Sequence, residues 1–164
     1  MNTQDKQKIH THSGFTIIEV VLVLAIAGVI FLMVFVALPS LQRTQRDTQR
    51  KNNLSLIEVQ LNQYVTSNRG AIPKGDQVRK FVEGWLGGDN YTASEEYSDP
   101  DGIPYTIHPD GKNLSESGDV GYYAGKLCDP NSEDGVKKST ATRSFALTIV
   151  LEGQNLPYCI DNRS

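Results

Sequence analysis

The stretch that decides the fold is FTIIEVVLVLAIAGVIFLMVFVAL, residues 15–38. Glu19 is its one charged residue, and the 19 residues from Val20 to Leu38 carry no charged or strongly polar side chain. A helix on the surface of a small soluble domain keeps one polar face, so a segment that is apolar on every face is predicted to lie in a membrane or inside an assembly. As a helix it would be about 36 Å long, enough to cross a bilayer core of about 30 Å.

The composition of the whole chain excludes several classes of protein. Of its 164 residues 38% are hydrophobic and 21% are charged, and the net charge is −3, which excludes a disordered chain and a generally basic nucleic-acid binder. His10 and His12 precede the apolar segment, so only His108 could serve as a general base in a folded domain. The chain has no nucleophile elbow, phosphate-binding glycine loop or zinc-protease helix motif. We therefore expect a structural protein, not an enzyme, with no cofactor and no metal.

The residues before the apolar segment, MNTQDKQKIHTHSG (1–14), form a short polar leader. An ordinary secretory signal has its small-residue cleavage site after the apolar core, whereas Ser13 and Gly14 come before it. Cleavage between Gly14 and Phe15 would place a new α-amino group at the helix end that carries Glu19. An acidic side chain costs about 2.5–3.5 kcal/mol at the centre of a membrane and less near its edge, and the amine of a neighbouring helix could offset that cost.

The heptapeptide Gly14-Phe15-Thr16-Ile17-Ile18-Glu19-Val20, with the apolar run behind it, resembles the leader and methylation motif of type IV prepilins and related pseudopilins. In that family a membrane peptidase cleaves after the glycine, and the new N-terminal residue is N-methylated. The resemblance implies cleavage between Gly14 and Phe15 and N-methylation of Phe15. It also implies that Glu19 guides assembly by pairing with the N-terminus of an adjacent subunit.

The function implied by this resemblance is that of a structural subunit of a type IV pilus, which would support adhesion, motility or DNA uptake. Its partners would be further copies of itself in a helical filament, the prepilin peptidase and methylase, and the proteins of the pilus assembly platform. One alternative is a pseudopilin of a type II secretion or competence system. Another is a single-pass, membrane-anchored binding module that never polymerises. No nucleic-acid partner is assigned.

The orientation in the membrane rests on the resemblance and on the cysteines. A net charge of +3 follows the apolar segment against +1 before it, which by the positive-inside rule would leave the C-terminus in the cytoplasm. The prepilin motif instead requires a cytoplasmic leader. We therefore expect a single-pass membrane protein with an extracytoplasmic C-terminus, and afterwards an extracellular pilus.

A second helical half follows the apolar segment. Leu54, Ile57, Leu61 and Tyr64 recur at helical spacing, and Gly70 and then Pro73 supply stop signals. The pattern predicts one helix from about residue 15 to 68, with a bend or loosened turn at Pro39, divided into a membrane and assembly half (15–38) and an amphipathic half (39–68).

Basic residues cluster at the start of the amphipathic half. Arg43, Arg46 and Arg50, with Lys51 adjacent, form a basic collar on the predicted helix. Two interpretations stay open: a solvated face or headgroup anchor, and a surface that pairs with the acidic head of another subunit.

Residues 69–164 are predicted to form a globular α+β head. Asp76 is expected to cap a short helix through VRKFVEGWL, and strands are expected at Ile103–His108, Val120–Leu127 and Arg143–Leu151. Turn residues 109–112 favour a small antiparallel sheet packed on the long helix, which is the arrangement that the pilin resemblance implies. Residues 89–119 contain eight acidic residues and one lysine, which predicts a solvated, acidic surface.

The two cysteines, Cys128 and Cys159, would form one disulfide in an exported chain and stay as two thiols in the cytosol. Many pilins carry a C-terminal disulfide loop, so the resemblance favours the bridge. The adjoining segment DPNSEDG (129–135) has oxygen-bearing side chains at Asp129, Asn131 and Asp134, as a calcium loop would. Its glycine comes one place late for an EF-hand and no closing acid follows, so we assign no metal site.

Overall fold

The computed structural model describes residues 14–111, 114–115, 117–154 and 156–163 of the chain, so the predicted leader lies almost wholly outside the described residues. The fold is α+β, as predicted, with a long N-terminal helix and a small sheet. The chain divides into two compact units, Met1–Leu41 and Gln42–Ser164. The elements are α1 (Ile17–Ser67), α2 (Asp76–Trp85), β1 (Thr106–Pro109), β2 (Asp119–Ala124), β3 (Lys126–Cys128), β4 (Val136–Lys138), β5 (Phe145–Ile149) and β6 (Tyr158–Asp161).

The first helix, α1, runs through Pro39 and ends within one residue of the predicted boundary. Leu54, Ile57 and Leu61 are fully buried, and Tyr64 is partly buried against the same core, so the predicted apolar stripe is confirmed. The helix stops where Gly70 adopts a positive φ of 82° and its N–H donates to the Val65 carbonyl at 2.7 Å. A left-handed glycine after the last turn satisfies an orphan carbonyl, which terminates the helix.

The second helix, α2, buries Val78, Phe81 and Val82 as expected. The predicted cap at Asp76 is wrong, because Asp76 is the first helical residue and the capping position belongs to Gly75, which has no side chain to accept a hydrogen bond. A carboxylate in the first turn still favours the helix through the macrodipole.

The main sheet has the strand order β1-β2-β5-β6. β5 pairs antiparallel with both β2 and β6, but β1 and β2 are parallel, so the expectation of a wholly antiparallel sheet is wrong for this pair. The predicted turn is present, since the Gly111 N–H donates to the His108 carbonyl at 3.0 Å. The chain does not continue from it as a hairpin. It returns to the other end of β1, where the Thr106 N–H donates to the Gly118 carbonyl, and β2 therefore starts beside Thr106.

A second, two-stranded sheet pairs β3 with β4. The single strand predicted at Val120–Leu127 is divided, because Gly125 between β2 and β3 has a φ of 75°, which interrupts the extended backbone. The strand β4 and the last strand, β6, were not predicted.

The core lies on both faces of the main sheet. Phe145, Leu147 and Ile149 of β5 join the core formed with α1 and α2, while Ala146 belongs to a second cluster with Tyr123 and Val136. All five residues of β5 are buried, since a strand with covered faces on both sides has no polar side.

Candidate functional site

The predicted processing and assembly residues lie at the start of α1. The Thr16 hydroxyl donates to a carboxylate oxygen of Glu19 at 2.9 Å, and the Thr16 backbone N–H donates to the same oxygen at 3.0 Å. The Glu19 N–H in turn points at the Thr16 hydroxyl oxygen, 3.4 Å away. This reciprocal pair is a capping box, in which the side chains at the first and fourth positions satisfy orphan N–H groups of a helix start.

This capping box changes the interpretation of Glu19. Its carboxylate already accepts hydrogen bonds from Thr16 of the same chain, without a contact to another subunit. Sequence reasoning missed this role, although the signal, Thr followed three residues later by Glu ahead of an apolar run, stands in the sequence. Glu19 therefore caps the start of the helix while its side chain stays exposed.

Gly14 and Phe15, which flank the predicted cleavage point, precede the first helical residue, and both are exposed. Among the described residues no atom lies within 4 Å of where a Cβ on Gly14 would stand. The fold itself therefore gives no steric reason for glycine at this position. A requirement for glycine here would come from a binding partner that closes on the backbone.

The apolar segment that follows is exposed on every side. Its most hydrophobic 18-residue window has a mean hydropathy of 3.2, and none of that window is buried. Phe35, for example, is 71% exposed. By length and composition this helix could cross a membrane. Exposed apolar surface of this extent marks an interaction with lipid or with another protein.

The basic collar is not solvated throughout, because Arg43 is exposed but Arg50 is buried. Arg50 is 1% exposed, and its Nε and Nη2 donate to the two carboxylate oxygens of Asp99 at 2.7 and 3.1 Å. It lies on the buried stripe of α1, four residues before Leu54. The interpretation of Arg50 as a headgroup anchor, or as a partner for another subunit, is therefore wrong, because its partners belong to its own head.

Arg46 extends the Arg50–Asp99 pair to a larger group of charges. We define this ionic cluster as Arg46, Arg50, Asp99 and Glu152. Its Nε and Nη2 donate to the two oxygens of Glu152 at 2.5 and 2.6 Å, and Arg50 Nη1 lies 3.3 Å from the same carboxylate. The hydrogen bonds from Arg46 hold the pKa of Glu152 below its ordinary value. The cluster connects α1 to the loop before β1 and to the segment after β5, which sequence reasoning did not foresee.

Cys128 and Cys159 form a disulfide with a Cα–Cα distance of 5.7 Å. The bond joins β3 to β6 and so holds the two-stranded sheet against the edge of the main sheet. Closing a loop with a sequence separation of 31 is worth about 3–4 kcal/mol in the chain-entropy model. The bridge lies in a different compact unit from Gly14, Phe15 and Glu19.

The calcium-like segment 129–135 is the turn of the β3–β4 hairpin. Asp129 accepts a hydrogen bond from the Asn131 N–H at 3.0 Å and lies 3.6 Å from the ammonium of Lys137, so its oxygens already have partners. Gly135, with a φ of 70°, closes the turn. Across the described ranges, no group of three or more His, Cys, Asp or Glu residues could hold a metal ion.

The architecture is therefore a pilin-like α+β fold, a long apolar N-terminal helix with a small mixed sheet and a disulfide. Comparison of the chain with protein-family models, with curated proteins and with solved structures found no match.

Proposed function

We propose that this chain is the structural subunit of a type IV pilus filament. In this proposal the prepilin peptidase cleaves between Gly14 and Phe15, Phe15 is N-methylated, and the subunit waits in the membrane with its C-terminus outside. Assembly platform proteins then add it to a filament through its apolar helix. The filament would serve adhesion, motility or DNA uptake.

The observation that carries the proposal is that the large side chains in the apolar half of α1 are exposed, whereas its other half has a buried stripe. Leu54, Ile57 and Leu61 are buried, whereas the large apolar residues from Ile17 to Leu38 are exposed. Such a helix is stable in lipid before assembly and against identical helices afterwards, since both environments remove apolar surface from water at about 25 cal/mol per Å². The capped start of α1, with Glu19 four residues after Phe15, supports the same proposal.

Processing is tested by the intact mass and N-terminal sequence of the protein taken from its native membrane. The proposal expects a chain that starts at methylated Phe15. A chain that starts at Met1 would overturn the processing step.

Assembly is tested with variants that separate the two roles of Glu19. Glu19→Gln keeps an oxygen that can cap the helix start but removes the charge, whereas Thr16→Val removes the capping hydroxyl and keeps the charge. We expect Glu19→Gln and Glu19→Val to accumulate as cleaved membrane protein and yield few filaments in the fraction sheared from cells. Thr16→Val should assemble.

The opposite pattern would contradict the pairing mechanism. Wild-type filament yield from Glu19→Val would favour a membrane-anchored module that does not use this charge. Loss of filaments from Thr16→Val together with normal yield from Glu19→Gln would reduce Glu19 to a helix cap.

The disulfide supports a pilin over a pseudopilin, for which we would expect calcium dependence and no bridge. Absence of any filament at the cell surface, with retention of the cleaved protein in the envelope, would favour the pseudopilin.

A further inference from the structure

A basic cavity of about 420 Å³ opens beside the end of α1. We define it by its three charged residues, Arg69, Lys74 and Arg143, which come from the end of α1, the approach to α2 and the approach to β5. Neutral hydrogen-bonding groups of Gln77 and Thr142 also line it. Among the described residues no carboxylate lines this cavity, although the chain as a whole carries a net charge of −3.

The three cations of the basic cavity have no acidic partner within 4 Å in the part of the chain that the structure describes. Some basic side chains of the same chain are paired, as Arg46 is with Glu152 and Arg79 with Glu83. Bringing three like charges to one concave surface costs free energy unless an anion enters it. The cavity therefore has the electrostatic character of an anion-binding site.

The backbone that forms this cavity is held in conformations that the chain adopts at a cost. Arg69 has a φ of 56°, which is uncommon for a residue with a side chain, and Gly70 follows with a φ of 82°. The Arg143 guanidinium lies 2.7 Å from the point where a Cβ on Gly70 would stand, so a larger residue at this position would displace it. Lys74 and Gln77 flank the start of α2, whose dipole adds positive potential, part of which Asp76 in the first turn offsets.

Carboxylates that could fill such a cavity are present on the same chain. Glu95 and Glu96 are exposed neighbours without an ion pair among the described residues, whereas Asp99 of the same acidic segment is taken by Arg50. The Asn53 amide donates to the Ser98 carbonyl, which places this segment about midway along the amphipathic half of α1.

The ion pairs of a single copy decide how the two surfaces can meet. Among the described residues, neither Glu95 nor Glu96 is paired with a cation of its own basic cavity. A contact between these two patches therefore joins two different copies. Contacts between two different patches repeat from copy to copy and generate open helical filaments.

We infer that the basic cavity of one copy binds the carboxylates of Glu95 and Glu96 of the next copy in the filament. This inference rests on the proposed function, because it needs a filament. It assigns to the heads a polarity-determining contact that is independent of Glu19 and of the apolar helix.

The test is charge reversal with compensation. Lys74→Glu combined with Arg143→Glu should lower filament yield in the sheared fraction about tenfold or more, as expected for the loss of close charge pairs. Adding Glu95→Lys and Glu96→Lys to the same chain should restore most of that yield. Lys138→Glu, an exposed lysine outside the cavity, is the matched control and should assemble normally. Cleaved full-length chain with its disulfide intact, on a non-reducing gel, shows that each variant folds.

Each outcome supports or overturns the contact. If the double charge-reversal variant forms filaments at the wild-type yield, the contact between the heads is overturned and the proposed function still stands. Loss of filaments without rescue would overturn Glu95 and Glu96 as the occupant and point to another anion, such as a nucleic acid. A wild-type chain that forms no filament under any condition would overturn the proposed function and this contact together.

Discussion

At the scale of single residues, Arg50 shows how a charged side chain can belong to a hydrophobic core. It occupies a stripe position four residues before Leu54, and its guanidinium is almost wholly removed from water. A buried guanidinium is tolerated only when hydrogen-bonded counter-charges surround it, and Asp99 supplies a bidentate pair while Glu152 approaches from the other side. The arrangement fixes the angle at which two loops meet the helix.

Arg50→Met is expected to lower the free energy of unfolding by about 3–5 kcal/mol, because it leaves the buried carboxylate of Asp99 without its cation. Arg43→Met, an exposed arginine two turns earlier on the same helix, should change it by about 0.5 kcal/mol or less. Thermal or denaturant unfolding of the full chain in detergent measures both. Equal small effects would show that the pair is not the buried structural contact described above.

At the scale of elements, α1 is one helix with two environments. Its first half has exposed Val, Ile, Leu and Phe on every side, whereas its second half has a single stripe that is buried in a protein core. The transition is marked by Pro39, which removes a backbone donor without ending the helix.

A pair of identical substitutions tests this division on the second half of the helix. Leu61→Ala should destabilise the protein by about 2–5 kcal/mol, because the side chain is fully buried and leaves a cavity. Leu56→Ala, on the 54% exposed face, should cost about 0.5 kcal/mol or less. Unfolding in detergent compares the two. A large loss for Leu56→Ala would mean that this face is covered by a partner in the sample.

At the scale of the whole molecule, charge joins segments that are far apart in sequence. Hydrogen bonds from Arg46 lower the pKa of Glu152. Burial raises the pKa of Asp119, but hydrogen bonds from Ser115 and His108 outweigh it, and the net shift is also downward. Groups with lowered folded-state pKa values stabilise the fold above their ordinary pKa values, and that stability is lost as they are protonated.

Stability is therefore expected to be level from neutral pH to about 5 and to fall below the ordinary glutamate value of 4.5. Glu58 opposes this trend, because burial raises its pKa. Glu152→Gln isolates the cluster: it should lower stability at pH 7 and flatten the acid-induced loss. Unfolding midpoints between pH 7 and pH 3 for both chains measure this, and parallel curves would contradict the role of Glu152.

Features carried by local pattern were predictable from sequence. The all-round apolarity of residues 15–38 and the stripe at Leu54, Ile57 and Leu61 each lie within a few helical turns, so neighbouring residues alone determine them. The capping box of Thr16 and Glu19 belongs to this group too, although it was not predicted. The positions of Cys128 and Cys159 are read directly from the sequence, but whether they pair could be predicted only by assuming that the chain is exported.

Only the tertiary structure decided what depends on remote contacts. The parallel pairing of β1 with β2 and the strands β4 and β6 depend on partners elsewhere in the chain, because a short strand has no stable hydrogen bonding of its own. The burial of Arg50 depends on Asp99 and Glu152, the latter 102 residues away. The basic cavity exists because three separate segments meet there, and no one of them shows a cluster by itself.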